Sequence, residues 1–140
     1  MTRKGRLTVI GTQRDESGEE QTSQTAAAEY HTGNGCIYIF YEEAAADGGE
    51  ITKNIIKLKG GILELTKKGA VNARMVFEPG KEHMTLYSTP FGALPLGVIT
   101  DTVENALSEE EIRISAVYSL TSQGSPISRC KILIKMQFKS

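Results

Sequence analysis

Near its C-terminus the chain reads Cys130-Lys131-Ile132-Leu133-Ile134-Lys135-Met136-Gln137-Phe138-Lys139. Every even position of this stretch is apolar, and three lysines and a glutamine take four of the five odd positions. Successive side chains of a β-strand point to opposite faces of the sheet, so the alternation predicts a long strand with one buried face. The same period runs through residues 112–121, which are predicted to form a second such strand.

Shorter segments with strand character precede these two. They lie between turn signals such as Gly33-Asn34-Gly35 and Pro79-Gly80, which recur at the spacing of about 8–12 residues that is typical of an antiparallel meander. The candidates are 6–13, 21–31, 36–43, 51–59, 62–67, 72–78, 83–89 and 94–100. No long helical segment is available for parallel crossovers, and closing the sheet removes its exposed edges. The sequence therefore predicts an all-β fold, an antiparallel meander closed into a β-barrel of about 8–10 strands.

Three segments could instead be helical. Thr25–Glu29 and Glu42–Ala46 are rich in helix formers, but each is only five residues long and isolated short helices are marginal. We interpret 21–31 as a strand with small side chains and 44–49 as a hairpin loop. A short helical turn within 103–111 is left open.

Length and composition predict a single domain over residues 1–140, since folded domains commonly have about 100–150 residues. The apolar runs are shorter than the roughly 7–15 residues of a signal peptide core or the roughly 20 of a membrane helix, so we expect a cytoplasmic protein without membrane contact. Cys36 and Cys130 lie in apolar segments and are expected to be buried thiols.

The net charge of −1 does not favour a protein whose main role is to bind phosphate backbones. Charges nevertheless fall into five blocks of alternating sign, and the last block offers a basic face. That face is either solvated or binds RNA or an acidic partner, although it lacks the interleaved aromatic residues of single-strand binders. Its members are Arg129, Lys131, Lys135 and Lys139.

Motifs for catalysis or metal binding do not occur in the sequence. The two histidines, His31 and His83, have no neighbours at metal-ligand spacing, so neither a metal nor another cofactor is predicted. No Gly-x-Ser-x-Gly elbow is present, and adjacent carboxylates such as Glu42 and Glu43 point to opposite faces of a strand. These observations do not favour an enzyme.

Arg74 is the one charged residue for which the strand pattern leaves two alternatives. If Met75 and Phe77 face the lumen, Arg74 lies outside the barrel. If the opposite face is inward, Arg74 becomes a buried cation that must be paired, and hence a candidate anion clamp. Three tyrosines could add hydroxyl groups to such a ligand site in the lumen, namely Tyr38, Tyr87 and Tyr118.

Residues 67–80 and 83–94, together with the Tyr38–Glu43 segment and Tyr118-Ser119-Leu120, resemble the YwiB-like family of bacterial proteins. One departure is Lys67, where the family pattern has Arg before a Lys-Gly turn. The resemblance implies a cytoplasmic protein with a calycin-type, lipocalin-like barrel and no established activity. Calycins often hold small apolar ligands in the barrel.

The leading hypothesis is therefore a non-catalytic protein that binds a small ligand or a protein partner. An RNA-associated accessory protein that uses the basic C-terminal strand is the alternative, followed by a small enzyme with a site in the lumen. The oligomeric state is not predicted.

Overall fold

The computed structural model describes residues 2–44 and 49–139, and these residues form ten β-strands and no helix. The strands are β1 (Thr2–Asp15), β2 (Gly18–Gly33), β3 (Cys36–Glu43), β4 (Thr52–Lys59), β5 (Ile62–Lys68), β6 (Ala73–Phe77), β7 (Glu82–Thr89), β8 (Gly92–Leu107), β9 (Glu111–Ser122) and β10 (Ser125–Phe138).

All ten strands belong to one antiparallel sheet with the order β6-β5-β4-β3-β2-β1-β10-β9-β8-β7. Its two end strands meet where Asn72 and Ser88 exchange backbone hydrogen bonds of 2.9 Å, so that the sheet forms a nearly closed barrel. The first and last strands of the chain are neighbours, and Lys139 N donates to the Lys4 carbonyl at 3.0 Å. The predicted all-β antiparallel barrel is confirmed.

The interior of the barrel is filled by side chains. Leu7 lies opposite Met136 across the β1–β10 ladder, and Ile134 lies opposite Ile114 across the β10–β9 ladder. Alternation directs all of them to the same inner face. The largest fully buried apolar side chains are Phe77, Leu7, Ile39, Ile56, Leu63, Ile112, Ile114, Ile134, Met136 and Val98. The middle of the barrel is thus a packed core, one of the two ways in which small barrels use their interior.

Strands β2 and β3 differ in length, and this difference opens the wall of the barrel. β2 has 16 residues and pairs with β1 from Gly18 to His31, whereas β3 has 8 residues and pairs with β2 only from Ala28 to Gly33. Beyond Ala28 and Tyr41 the two strands separate. Within the described part of the chain, residues 18–27 therefore pair with β1 alone, and we call this segment the β2 edge.

The Ala-rich segment at residues 26–28 is a strand, as predicted, and Ala28 is buried in the core.

The helical turn left open within 103–111 is wrong, because β8 continues to Leu107 and its inward Val103 lies opposite Ala116. A tight turn follows, in which Ser108 N donates to the Glu111 carbonyl at 2.9 Å. The loop predicted at 44–49 includes residues 45–48, which lie outside the described residues. Cys36 and Cys130 are buried free thiols.

The packed core makes a stability prediction at Ile114, whose side chain is fully buried. Replacement by Ala removes buried methyl groups and leaves a cavity, so we expect Ile114→Ala to lower the free energy of unfolding by about 2–5 kcal/mol. Urea unfolding measures this loss. Ile127→Ala, at a site that is 44% exposed, is the control and should cost far less. Equal losses in the two variants would contradict the assigned inner face.

Candidate functional site

A cluster of polar side chains lies inside the barrel wall on three consecutive strands, β3, β4 and β5. Lys67 Nζ donates to Glu43 Oε1 at 3.1 Å and to Asn54 Oδ1 at 2.9 Å. Asn54 Nδ2 completes the arrangement by donating to Glu43 Oε1 at 3.3 Å. We call these three residues the polar triad. Asn54 is only 1% exposed, and the Lys67 side chain is 15% exposed.

The triad occupies inward positions because each residue continues the alternation of its strand. Lys67 follows Leu63 and Leu65 in phase on β5, and it lies directly opposite Asn54 on β4. A largely buried ammonium group requires acceptors, which Glu43 and Asn54 supply. Asn54 can accept from the lysine and donate to the carboxylate at once, because an amide carries both functions.

The turn after Lys68 packs closely against the backbone at the start of β4 through Gly69. Gly69 has a φ of +146°, and a Cβ atom there would overlap the Ile51 carbonyl oxygen. Asn72 closes the turn, since its Nδ2 donates to the Gly69 carbonyl at 2.8 Å and its Oδ1 accepts from Gly69 N at 3.3 Å. The hydroxyl of Thr52, which is buried, accepts from Val71 N at 3.3 Å. Only glycine fits this φ and this approach.

Tyr41, Tyr87 and Tyr118 have inward side chains with perturbed titration. Burial raises the pKa of the Tyr41 phenol, and burial also raises that of Tyr87; the negative charge of Glu43 adds to both shifts. Tyr118 packs edge-on against Phe77, with ring centroids 4.8 Å apart. Burial raises the pKa of Tyr118, and Cys130 adds to the shift. All three therefore present neutral hydroxyl groups in the neutral pH range.

Arg74 does not line the lumen, which corrects one of the two predicted alternatives. Met75 and Phe77 take the inner face of β6, at 8% and 0% exposure, so the alternation turns Arg74 outward into an ion pair with Glu64. Tyr38 is also on the outer face, stacked on Phe40 at 6.3 Å between ring centroids. It too is removed from the predicted lumen set, whereas Tyr87 and Tyr118 face inward.

A cavity of about 660 Å³ lies where β2 and β3 separate, and we call it the β2–β3 cavity. It reaches both faces of the wall, because its lining includes inward Tyr41 and Asn54 as well as outward Phe40 and Ile55. Asn54 connects it to the polar triad. The remaining lining residues are Lys4, Gly5, Ala26, Ala27, Ala28, Glu29, Glu42, Lys53 and Lys139.

The four residues of the predicted basic face have different surroundings. Arg129 forms an ion pair with Asp101 and donates to Ser119 Oγ at 3.0 Å, and Lys135 Nζ lies 3.3 Å from Glu111 Oε1. Lys131 is exposed, and Lys139 lines the β2–β3 cavity. Two of the four charges are thus already paired with carboxylates, which reduces the positive potential of the face.

The histidines lie in separate environments. His83 Nε2 is 2.8 Å from Glu78 Oε1, and this hydrogen bond is the largest cause that lowers the pKa of Glu78. His31 Nδ1 is 3.0 Å from the Thr2 hydroxyl. Among residues 2–44 and 49–139, no group of three or more His, Cys, Asp and Glu side chains is arranged to hold a metal ion. The same residues include no helix long and apolar enough to cross a membrane.

A family model matches residues 7–134, a range that includes the triad and most of the cavity lining, and it is described as a domain of unknown function, DUF1934. The chain belongs to the DUF1934 family. A relative in Bacillus subtilis (strain 168), the uncharacterized beta-barrel protein YwiB, is 28% identical over 106 residues, which cover 76% of this chain and 73% of the relative. The predicted resemblance is therefore confirmed.

The crystal structure of the YwiB protein from Bacillus subtilis has the same fold as this DUF1934 chain. The two structures match with a TM-score of 0.87 at 23% identity, over 99% of this chain and 94% of the other. The match supports the ten-stranded barrel along nearly its full length. The family description assigns no function.

Sequence reasoning missed the polar triad, although a signal for it exists. The inward phase of β3 runs Ile37, Ile39, Tyr41 and then Glu43, and on β4 it runs Leu58, Ile56 and then Asn54. Continuing the alternation past the last apolar residue would have placed these polar side chains inside the wall.

The triad makes a prediction for Lys67→Met, which keeps the length of the side chain but removes the ammonium group. Glu43 and Asn54 then lose their shared donor in a largely buried site, so we expect the free energy of unfolding to fall by about 1–3 kcal/mol. Urea denaturation measures the loss. Lys68→Met, one residue along on the exposed face, is the matched control. A loss that is no larger than in the control would show that the triad does not stabilise the fold.

The raised pKa values of Tyr41, Tyr87 and Tyr118 lead us to predict a loss of stability at alkaline pH. A raised pKa in the folded state means that the fold keeps phenolic protons which the unfolded chain releases above about pH 10. Stability is therefore full below that pH and declines as the pH rises further. Ultraviolet absorbance should report incomplete phenolate formation until the chain unfolds, followed by a cooperative increase. Ionisation of all five tyrosines near pH 10 in an intact fold would contradict this.

Proposed function

We propose that the protein is a non-catalytic binding protein that takes a small ligand, with an apolar body and an anionic group, in the β2–β3 cavity. The observation that carries the proposal is the cavity itself. Its volume of about 660 Å³ falls within the roughly 300–1,000 Å³ of small-molecule sites. The filled centre of the barrel supports a site in the wall rather than in the lumen.

The apolar part of the site consists of Ala26, Ala27, Ala28, Phe40 and Ile55. The three alanines leave room beside the aromatic ring, because their side chains end at Cβ. Apolar walls with a few placed polar groups are typical of sites that bind small organic molecules. Tyr41 and Asn54 supply such groups from the inner side, an O–H donor and an amide.

The charged residues around the cavity favour a ligand that carries an anionic group. Lys4, Lys53 and Lys139 line it, and within the described ranges none of the three lies within ion-pair distance of a carboxylate. Glu29 and Glu42 lie opposite Lys4 and Lys53 in the strand ladders and moderate the potential. An ammonium group binds an anion as a compact point charge without a fixed approach geometry.

The lining groups support binding rather than acid–base catalysis. The raised pKa of Tyr41 keeps its phenol protonated, so the hydroxyl donates a hydrogen bond and is a poor general base. The Lys67 ammonium already donates to Glu43 and Asn54, so it is engaged in the polar triad.

A fluorescence titration with anilinonaphthalene sulfonate, an apolar dye with one anionic group, tests the site. We expect saturable binding of one dye per chain. Lys53→Gln should weaken it about two- to fivefold, since a single exposed charge contributes up to roughly 1 kcal/mol. Lys59→Gln, an exposed lysine on the same face of β4, is the control and should bind as the wild type does.

A second variant fills the cavity. Ala27 is exposed and lines the cavity from the outer face, so Ala27→Phe occupies part of its volume without disturbing the core. Dye binding should then be lost while circular dichroism still reports the β-sheet. Unchanged binding by Ala27→Phe, or no saturable binding by the wild type, would overturn the proposal.

A further inference from the structure

The β2 edge, residues 18–27, carries a row of backbone groups that no strand of the described chain uses on the side away from β1. Eight of its ten residues are exposed, and only Gln24 and Ala26 are half-buried. Unpaired N–H and C=O groups along an extended strand are a template for another strand.

Several features that normally protect such an edge are absent from residues 18–27, and the charges of this segment are confined to Glu19 and Glu20 at one end. Residues 18–27 contain no Pro, Lys or Arg, and their ladder with β1 continues without a bulge. By contrast, β8 beyond Thr102 also lies at an edge, but its register shifts between Thr100 and Thr102. Bulges and charges are common means of preventing edge-to-edge pairing.

We propose that a second copy of this chain pairs antiparallel along the β2 edge, with a two-fold axis near Thr22 and Ser23. The two barrels would then share a continuous sheet across the interface. Identical edges related by a two-fold axis give a closed dimer, because each copy uses the same surface and the β2 edges of both copies are then paired with each other.

The charges of the edge are compatible with this self-pairing. Glu19 and Glu20 are its only charged residues, and both lie at one end. Antiparallel pairing centred at Thr22 or Ser23 places them opposite the neutral segment Gln24–Ala27 of the other copy, so like charges are never opposite. Arg6 lies next to Ala27 on β1, one strand away from the incoming Glu19. The net charge of −1 adds little long-range repulsion between copies.

The side chains of the edge also suit a strand interface. Thr22 and Thr25 are β-branched, and Ser23 and Ala26 are small. β-branched residues favour the extended conformation of a strand. In a second copy the neutral part of the edge lies against the acidic end of the first, and the reverse holds by symmetry.

Sedimentation velocity over a range of protein concentrations tests the proposal. We expect the wild type to show a monomer–dimer equilibrium. Thr22→Lys and Ser23→Lys bring like charges together at the two-fold axis and should weaken dimerisation about tenfold or more. Ser115→Lys is the matched control, because Ser115 lies on β9 between paired strands on both sides and should leave the equilibrium unchanged.

A mixing experiment identifies the interface directly. Ser23→Lys and Ser23→Glu should each be mainly monomeric alone, whereas an equimolar mixture should form a heterodimer because opposite charges then meet. Amide hydrogen exchange in residues 18–27 should slow as the wild-type concentration rises. A wild type that stays monomeric at every concentration, or a dimer that is insensitive to Thr22→Lys and Ser23→Lys, would overturn the proposal. Ala26 and Ala27 also line the β2–β3 cavity, but sedimentation and hydrogen exchange are measured without dye, so either proposal can fail without the other.

Discussion

Winding one antiparallel sheet into a barrel turns every second side chain of every strand inward, and the rest of the structure depends on how that inward face is filled. In the middle, aliphatic and aromatic side chains such as Ile114 and Phe77 exclude water completely. Towards one end the alternation continues while the residue types change, and Lys67 and Asn54 occupy the same inward rows. The polar triad follows from the geometry that builds the core, because an inward lysine must find acceptors inside the wall.

The period of two was sufficient to predict the strands, since each strand carries its own alternation, and closure was predicted because it removes the exposed edges of the sheet. It could not decide the face of Arg74, because β6 has apolar residues on both faces and its orientation follows from its neighbours. The triad was missed because only apolar residues were followed inward. β1 was predicted short: residues 6–13 became Thr2–Asp15, since ladders with β2 and β10 extend β1 beyond its apolar centre.

The β2–β3 cavity and the β2 edge share one origin, the early end of β3 beside a strand twice its length. The relative lengths of the strands in a barrel depend on the stagger of all the ladders. A local sequence pattern therefore does not predict the gap between β2 and β3. The alanines at 26–28 are compatible with the gap between β2 and β3. They adopt the strand conformation, but their small side chains leave space that large side chains would fill. The DUF1934 description names no function, so these features of the chain itself support the two proposals.

The barrel is held together in different ways at two strand pairs, β6–β7 and β1–β10. Between β6 and β7 the hydrogen bonding is sparse, but the short link from Glu78 to Lys81 joins the strands covalently. Between β1 and β10 the chain is interrupted, but a ladder from Gly5–Phe138 to Arg14–Arg129 joins them without a covalent link. A circular permutant that joins the termini and opens the chain in the β6–β7 link would leave that seam with neither kind of closure. Opening the chain at the turn between β9 and β10 would still leave those strands paired along nearly their whole length.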